Sequence, residues 1–181
     1  MSNRTGRDAI PEGVVVRPLT AHDDPRGTVT EVYRKSWNDT FRALQWSVTQ
    51  GHARALRGVH VHARHTDYLV VVAGAVRLGL HDLRESGTGA SCMLTLEAAA
   101  PQAVLIPPGV CHGFYSAAPC TILTGTSEYW DLRDEMGCRF DAPELGLDWP
   151  DLSPVLSPRD RDAVSYTEMR TQYRHACKET A

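Results

Sequence analysis

The residues best equipped for chemistry lie in Gly58-Val59-His60-Val61-His62-Ala63-Arg64-His65-Thr66-Asp67-Tyr68 and, farther on, in Pro107-Pro108-Gly109-Val110-Cys111-His112-Gly113-Phe114. On a strand, residues two apart share a face. His60 and His62 therefore point to one side, while Val59 and Val61 pack on the other. Asp67 follows across a short bend, and the Pro-Gly turn leads into a strand that carries His112. Together His60, His62, Asp67 and His112 make a set of three imidazoles and one carboxylate. Such donors suit a divalent transition ion, Fe, Mn, Ni, Cu or Zn, and four protein ligands leave one or two positions open on a five- or six-coordinate ion. The blander reading makes His60 and His62 polar side chains on a half-exposed strand. His65 reads as a bystander at the bend, and His22, His52, His81 and His175 have no partners that the sequence identifies.

The elements that must position this set are short strands. Val14-Val15-Val16, Thr28 to Val32, Ala43 to Val48, Tyr68 to Val72, Val76 to Leu80, Met93 to Leu96, Ala103 to Ile106 and Cys120 to Leu123 are β-rich runs. Asp24-Pro25-Arg26-Gly27, Ser86-Gly87-Thr88-Gly89 and Pro107-Pro108-Gly109 punctuate them as turns. Many short strands with little helix between them predict an all-β sandwich or barrel. After Tyr129 the chain becomes loop-rich, spaced by Pro143, Pro150, Pro154 and Pro158, and a short helical segment is expected from about Thr167 to Lys178. Residues 1–11 read as a flexible leader, and residues 12–181 as one domain.

Composition narrows the function classes. The 181 residues carry a formal net charge of −3, with basic residues scattered rather than striped, so nucleic acid is not an expected partner. No apolar run reaches the length of a membrane helix, and no signal-peptide core is present, so no membrane partner is expected and a cytoplasmic location is. Five cysteines without a CxxC pair argue against a disulfide framework and against a thiolate metal site. Cys111, beside His112, reads as a small buried hydrophobe.

The spacing His60-x-His62-x4-Asp67-x6-Gly74, followed by Pro107-x-Gly109-x2-His112, resembles the two motifs of the cupin superfamily, with Asp where cupins usually carry Glu. A wider match runs from about Pro18 to Asp160. It rests on Asp24-Pro25-Arg26-Gly27 with Glu31, Leu56-Arg57-Gly58-Val59-His60, His81-Asp82-Leu83-Arg84, Ile106-Pro107-Pro108-Gly109 through Phe114, Asp148-Trp149-Pro150 and Leu156-Ser157-Pro158-Arg159-Asp160. Over this span the chain is similar to the dTDP-4-dehydrorhamnose 3,5-epimerase family, a cupin branch that acts on dTDP-linked 4-keto-6-deoxy sugars. The resemblance implies a jelly-roll barrel, the double-stranded β-helix of the cupins, and a homodimer in which an N-terminal strand completes the neighbour's sheet. It implies that His60 is the base that removes a proton next to the ketone, oriented by Asp160. It also implies that Arg26, Arg57 and Arg159 hold the diphosphate, that Glu31 and Gln45 line the pocket, and that Tyr129 is a retained pocket tyrosine able to act as acid. No organic cofactor is expected.

The chain departs from that family where charge matters. His62 replaces a Gln, Asp67 replaces an active-site Lys, Leu78 replaces an Asp, and Leu123 replaces the usual general-acid Tyr. A bare Asp67 would repel the enolate that proton removal leaves. Two of these changes also restore a cupin metal site, in which an ion would take the place of the lysine ammonium. Three readings therefore stand: an epimerase or isomerase of a nucleotide-linked 4-keto-6-deoxy sugar; a metal-dependent cupin enzyme (oxygenase, isomerase, cyclase or lyase) on another small metabolite; and a non-catalytic binding module. The first two compete for His60, which cannot be both free base and ligand through one nitrogen.

Overall fold

Runs of β-branched residues closed by Gly and Pro form the strands of the computed structural model, which describes residues 9–37 and 41–179. In chain order they are β1 (Val15–Pro18), β2 (Ala21–Asp24), β3 (Gly27–Thr30), β4 (Gln45–Gly51), β5 (Ala55–Val61), β6 (Asp67–Ala73), β7 (Ala75–Asp82), β8 (Ser91–Glu97), β9 (Gln102–Ile106), β10 (Val110–Ser116), β11 (Cys120–Thr126) and β12 (Met136–Gly137). Two helices close the chain, α1 (Pro158–Arg161) and α2 (Tyr166–Glu179). Most of the leader expected at residues 1–11 lies outside the described residues.

One sheet has the order β1-β9-β6-β11-β4, the other β12-β5-β10-β7-β8, and among the described residues β2 pairs only with β3. Every ladder within the two large sheets is antiparallel. Their inner faces interdigitate in one core cluster: Leu69 and Val71 of β6, Val104 and Ile106 of β9 and Ile122 of β11 meet Leu78 and Leu80 of β7, Leu96 of β8 and Val110 of β10. This is the jelly-roll sandwich that the strand-rich sequence leads one to expect. The outer face of the second sheet is covered by the C-terminal segment. Val59 and Val61 of β5 and Cys111 and Tyr115 of β10 pack there with Leu145, Trp149, Met169 and Tyr173.

The alternation along each strand decides where the polar residues go. On β10, Val110 and Phe114 face the inner core and Cys111 and Tyr115 the outer one, so His112 faces inward. On β5 the outward Val59 and Val61 leave His60 inward, and His60 pairs directly with His112 across the ladder. On β6, Leu69 and Val71 face inward, which aims Asp67 the same way. Both sheets thus deliver chemistry-bearing side chains to the space between them.

The observed elements also differ from expectation in places. The Asp24-Pro25-Arg26-Gly27 turn closes a separate hairpin, β2–β3, that ends at Thr30. His62, expected on the strand, lies one residue beyond β5. The short strand β12 has no apolar alternation to announce it; it exists because Met136 and Gly137 pair with Val61 and His60.

Candidate active site between the two sheets

His60 and Asp160 form the first unit. Their Nε2 and Oδ1 atoms are 2.7 Å apart, although the residues are a hundred positions apart in sequence. Ser157 holds the carboxylate from the other side: its hydroxyl donates to Asp160 Oδ2 at 2.9 Å and accepts from the Asp160 backbone N–H at 3.1 Å. This is an N-cap at the start of α1, and it explains why a Ser-Pro sequence precedes the aspartate. Burial pushes the Asp160 carboxyl up, but the hydrogen bonds from His60 and Ser157 and the nearby Arg159 charge outweigh it and hold the group below its ordinary range. With an ionised acceptor on Nε2, the His60 proton resides there and Nδ1 carries the lone pair. That nitrogen faces the Glu135 carboxylate at 3.9 Å.

The second unit is deeper. His62 Nδ1 donates to the Asp134 carbonyl at 2.8 Å, and His112 Nδ1 donates to the Val110 carbonyl at 3.1 Å. Both rings therefore present Nε2 to Asp67, whose Oδ2 lies 3.5 Å from His62 and 3.3 Å from His112. Burial, with the His112 and His65 charges, holds His62 well below the usual imidazole range. Burial also pushes the Asp67 carboxyl up, against the opposing pull of His112 and His65. His65 is no bystander: its ring stacks on His62 at 3.8 Å, and its Nδ1 binds Asp134 Oδ2 at 3.1 Å. Burial lowers the affinity of His65 for its proton, yet the Asp134 bond and the Asp67 charge outweigh this and raise it.

Of the four residues expected to share a metal, the structure gathers three. Ligand atoms of His62, Asp67 and His112 lie within 4.8 Å of one another, as do those of His62, His65 and Glu135. His60 stands outside both groups because Asp160 has engaged its ring. The expected substrate residues scatter more widely. Arg159 reaches the site but is paired with Glu135 at 2.8 Å. Arg26 pairs with Asp24 on the exposed hairpin, and Glu31 with Arg34. Gln45 Oε1 accepts from the Trp130 backbone N–H at 3.2 Å. Arg57 is exposed and has no ion pair among the described residues. Tyr129 is 70% exposed and makes no hydrogen bond among them. Cys111 is fully buried on the outer face, and burial pushes its thiol well above the ordinary range, so it is no nucleophile.

Asp134 and Glu135 were invisible in the sequence. They sit in the loop-rich segment after Tyr129, without a motif, and come to the site only because that segment folds back to pair β12 with β5. A cavity of about 680 Å³ opens beside them, lined by His60, Glu135, Arg159 and Asp160 on one side and by Gln172 and His175 of α2 on the other.

The sequence profile described as dTDP-4-dehydrorhamnose 3,5-epimerase matches residues 8–168. The chain belongs to this family. A dTDP-4-dehydrorhamnose 3-epimerase of Streptomyces niveus is 31% identical over 161 residues, covering 81% of this chain and 76% of that one. A dTDP-4-dehydrorhamnose 3,5-epimerase of Pseudomonas aeruginosa is 29% identical, over 90% and 95% of the two chains. Among solved structures, NovW, a 4-keto-6-deoxy sugar epimerase from Streptomyces spheroides, superposes with a TM-score of 0.83 at 28% identity, over 91% of this chain and 88% of that one. ChmJ, a 3'-monoepimerase from Streptomyces bikiniensis in complex with dTDP-quinovose, gives 0.82 at 26% identity, over 94% and 91%. The jelly-roll barrel is thus that of the dTDP-4-dehydrorhamnose 3,5-epimerase family, and the family is one of enzymes.

Proposed function

We propose that this protein epimerises a dTDP-linked 4-keto-6-deoxy sugar at a carbon next to the ketone, with His60 as the base. The observation that carries the reading is the 2.7 Å contact between His60 and Asp160 at the wall of an open cavity. Asp160 fixes the tautomer, so the Nδ1 lone pair takes the proton, and its charge stabilises the imidazolium that forms. The electrons of the broken C–H bond pass into the ketone to give an enolate. Return of a proton to the opposite face inverts the centre, and we assign that proton to Tyr129. Arg159 is the arginine best placed for the diphosphate; to bind it, the side chain must exchange Glu135 for the phosphate oxygens, which its forked donors suit. Arg26, Arg57, Glu31 and Gln45 complete the proposed substrate contacts.

The test is solvent exchange. Incubated in D2O with dTDP-4-keto-6-deoxyglucose, the protein should place deuterium at the carbon beside the ketone. His60→Asn should slow this by about 10²–10⁴-fold. Tyr129→Phe should still exchange the proton but invert the centre more slowly. Absence of deuterium incorporation by the wild-type protein would reject the reading.

The proposed assembly is a homodimer. The β2–β3 hairpin is exposed almost throughout and carries Val29 at 64% exposure, whereas an isolated two-stranded hairpin is marginal in water. Packing against a second copy would supply the missing support. We place the protein in the cytoplasm, where its five cysteines would stay thiols, as they are in the structure; among the described residues no helix is long and apolar enough to cross a membrane.

A further inference from the structure

We infer that His62, Asp67 and His112 form a binding site for a divalent first-row transition ion, separate from the His60–Asp160 dyad. Three observations carry this. First, both imidazoles are fixed in the tautomer that a metal needs. The Nδ1 proton of each is given to a backbone carbonyl, Asp134 for His62 and Val110 for His112, so each Nε2 lone pair is left to bind. Second, Asp67 Oδ2 is buried without a hydrogen-bond partner among the described residues, and it is aimed at those two nitrogens. A buried carboxylate oxygen in that state is costly unless a cation satisfies it. Third, the spacing fits. Two donors each about 2.1 Å from one ion lie about 3.0 Å apart at a right angle and about 3.4 Å apart at the tetrahedral angle. The Asp67 oxygen is 3.3 Å from His112 and 3.5 Å from His62.

The three ligands converge from different directions, which makes the site rigid. Asp67 comes from β6 in one sheet and His112 from β10 in the other, while His62 stands just past β5. Two imidazoles and one carboxylate suit Fe, Mn, Co, Ni or Zn and leave coordination positions open. His62 also belongs to the alternative group with His65 and Glu135. There, however, the His62 nitrogen nearest Glu135 is Nδ1, at 3.5 Å, which already donates to Asp134. The first group needs no rearrangement.

An ion held here would supply positive charge beside the base, able to polarise a substrate oxygen as a Lewis acid. That consequence rests on the epimerase reading, whereas metal binding itself does not. The experiment keeps the two apart, because it reads metal without substrate. Untagged protein is incubated in turn with Mn²⁺, Fe²⁺, Co²⁺, Ni²⁺ and Zn²⁺, desalted, and analysed by elemental mass spectrometry. We expect about one ion per chain for at least one metal. Asp67→Asn and His112→Gln should each retain at least about tenfold less, with folding checked by circular dichroism. His60→Asn should retain the full amount, because its partner is Asp160. No retained ion with any metal would overturn the proposal, and so would full retention by Asp67→Asn. Loss of metal in a folded His60→Asn would overturn the three-residue assignment. Deuterium exchange by wild-type protein that retains no metal would sink this inference while leaving the epimerase reading intact.

Discussion

Asp82 shows how a single residue away from the cavity supports it. Its side chain is fully buried and is gripped by Arg84 through Nε at 2.8 Å and Nη2 at 2.9 Å. Burial pushes the carboxyl up, but the Arg84 bonds outweigh it and hold it below the ordinary value of 3.8. The pair braces the turn that leads to His112, since Leu83 donates to the Gly109 carbonyl at 3.0 Å and the Arg84 stem packs against Gly109. A carboxyl with a depressed native pKa contributes stability above its unfolded value and loses it as pH falls through the native value. Asp82→Asn should therefore cost roughly 3 kcal/mol at neutral pH, because it leaves Arg84 without its charge partner. The gap to wild type should close in acid, below the ordinary carboxylate range. Urea denaturation followed at several pH values measures this, and a gap that does not change with pH would show that Asp82 acts through packing alone.

At the scale of elements, the β9–β10 turn is a tightly constrained connection. Gly109 has φ +81°, and a Cβ there would lie 2.4 Å from the Tyr173 hydroxyl of α2 and 2.5 Å from Arg84 Cγ. Its N–H also donates to the His62 carbonyl at 2.8 Å, which ties the turn to the end of β5. Gly89 has φ +64°, and a Cβ there would have nothing within 4 Å. The two positions share the backbone strain and differ in the clash. Gly109→Ala should therefore cost about 2–4 kcal/mol and Gly89→Ala only about 1 kcal/mol. Chemical denaturation of both variants tests the difference, and equal costs would mean that α2 yields to the added methyl group. Because α2 packs Met169 and Tyr173 on the outer face of the second sheet, a shift at Gly109 would also loosen the wall of the cavity.

At the scale of the whole molecule, the β2–β3 hairpin stands outside the two large sheets. If the hairpin packs on a second copy, sedimentation should give a mass twice the 20.0 kDa of the chain. Val29→Asp, which places a charge in that contact, should shift the protein toward monomer at micromolar concentration. A wild-type monomer would leave the hairpin free and move the burden of substrate binding onto one chain. The inner faces need no such help, because each meets the other sheet, and the C-terminal segment covers the outer face of the second sheet; the outer face of the first sheet, by contrast, leaves Trp46, Val48 and Val72 exposed.

Period-two alternation was enough to read most of the strands and to set His60 on the face opposite Val59 and Val61, because a pleated strand has only two sides. The Pro-Gly turns marked where those strands end for an equally local reason: few residues accept the backbone angles a tight turn requires. Cysteine spacing and charge distribution likewise pointed away from a disulfide framework or a nucleic-acid surface. The fate of each histidine was not local. The linear pattern set His60, His62, Asp67 and His112 together as one ligand group, yet an aspartate a hundred residues away takes His60 out of it. Backbone carbonyls of Asp134 and Val110 turn His62 and His112 toward Asp67, and no side-chain pattern announces a carbonyl. Asp134, Glu135 and the stacking of His65 on His62 were unreadable for the same reason, since they depend on where a loop without periodicity returns to β5. Sequence by itself determined which side chains could face the space between the sheets. The tertiary structure decided which of them touch, because polar contacts at 2.7–3.5 Å are set by the packing of segments remote in the chain.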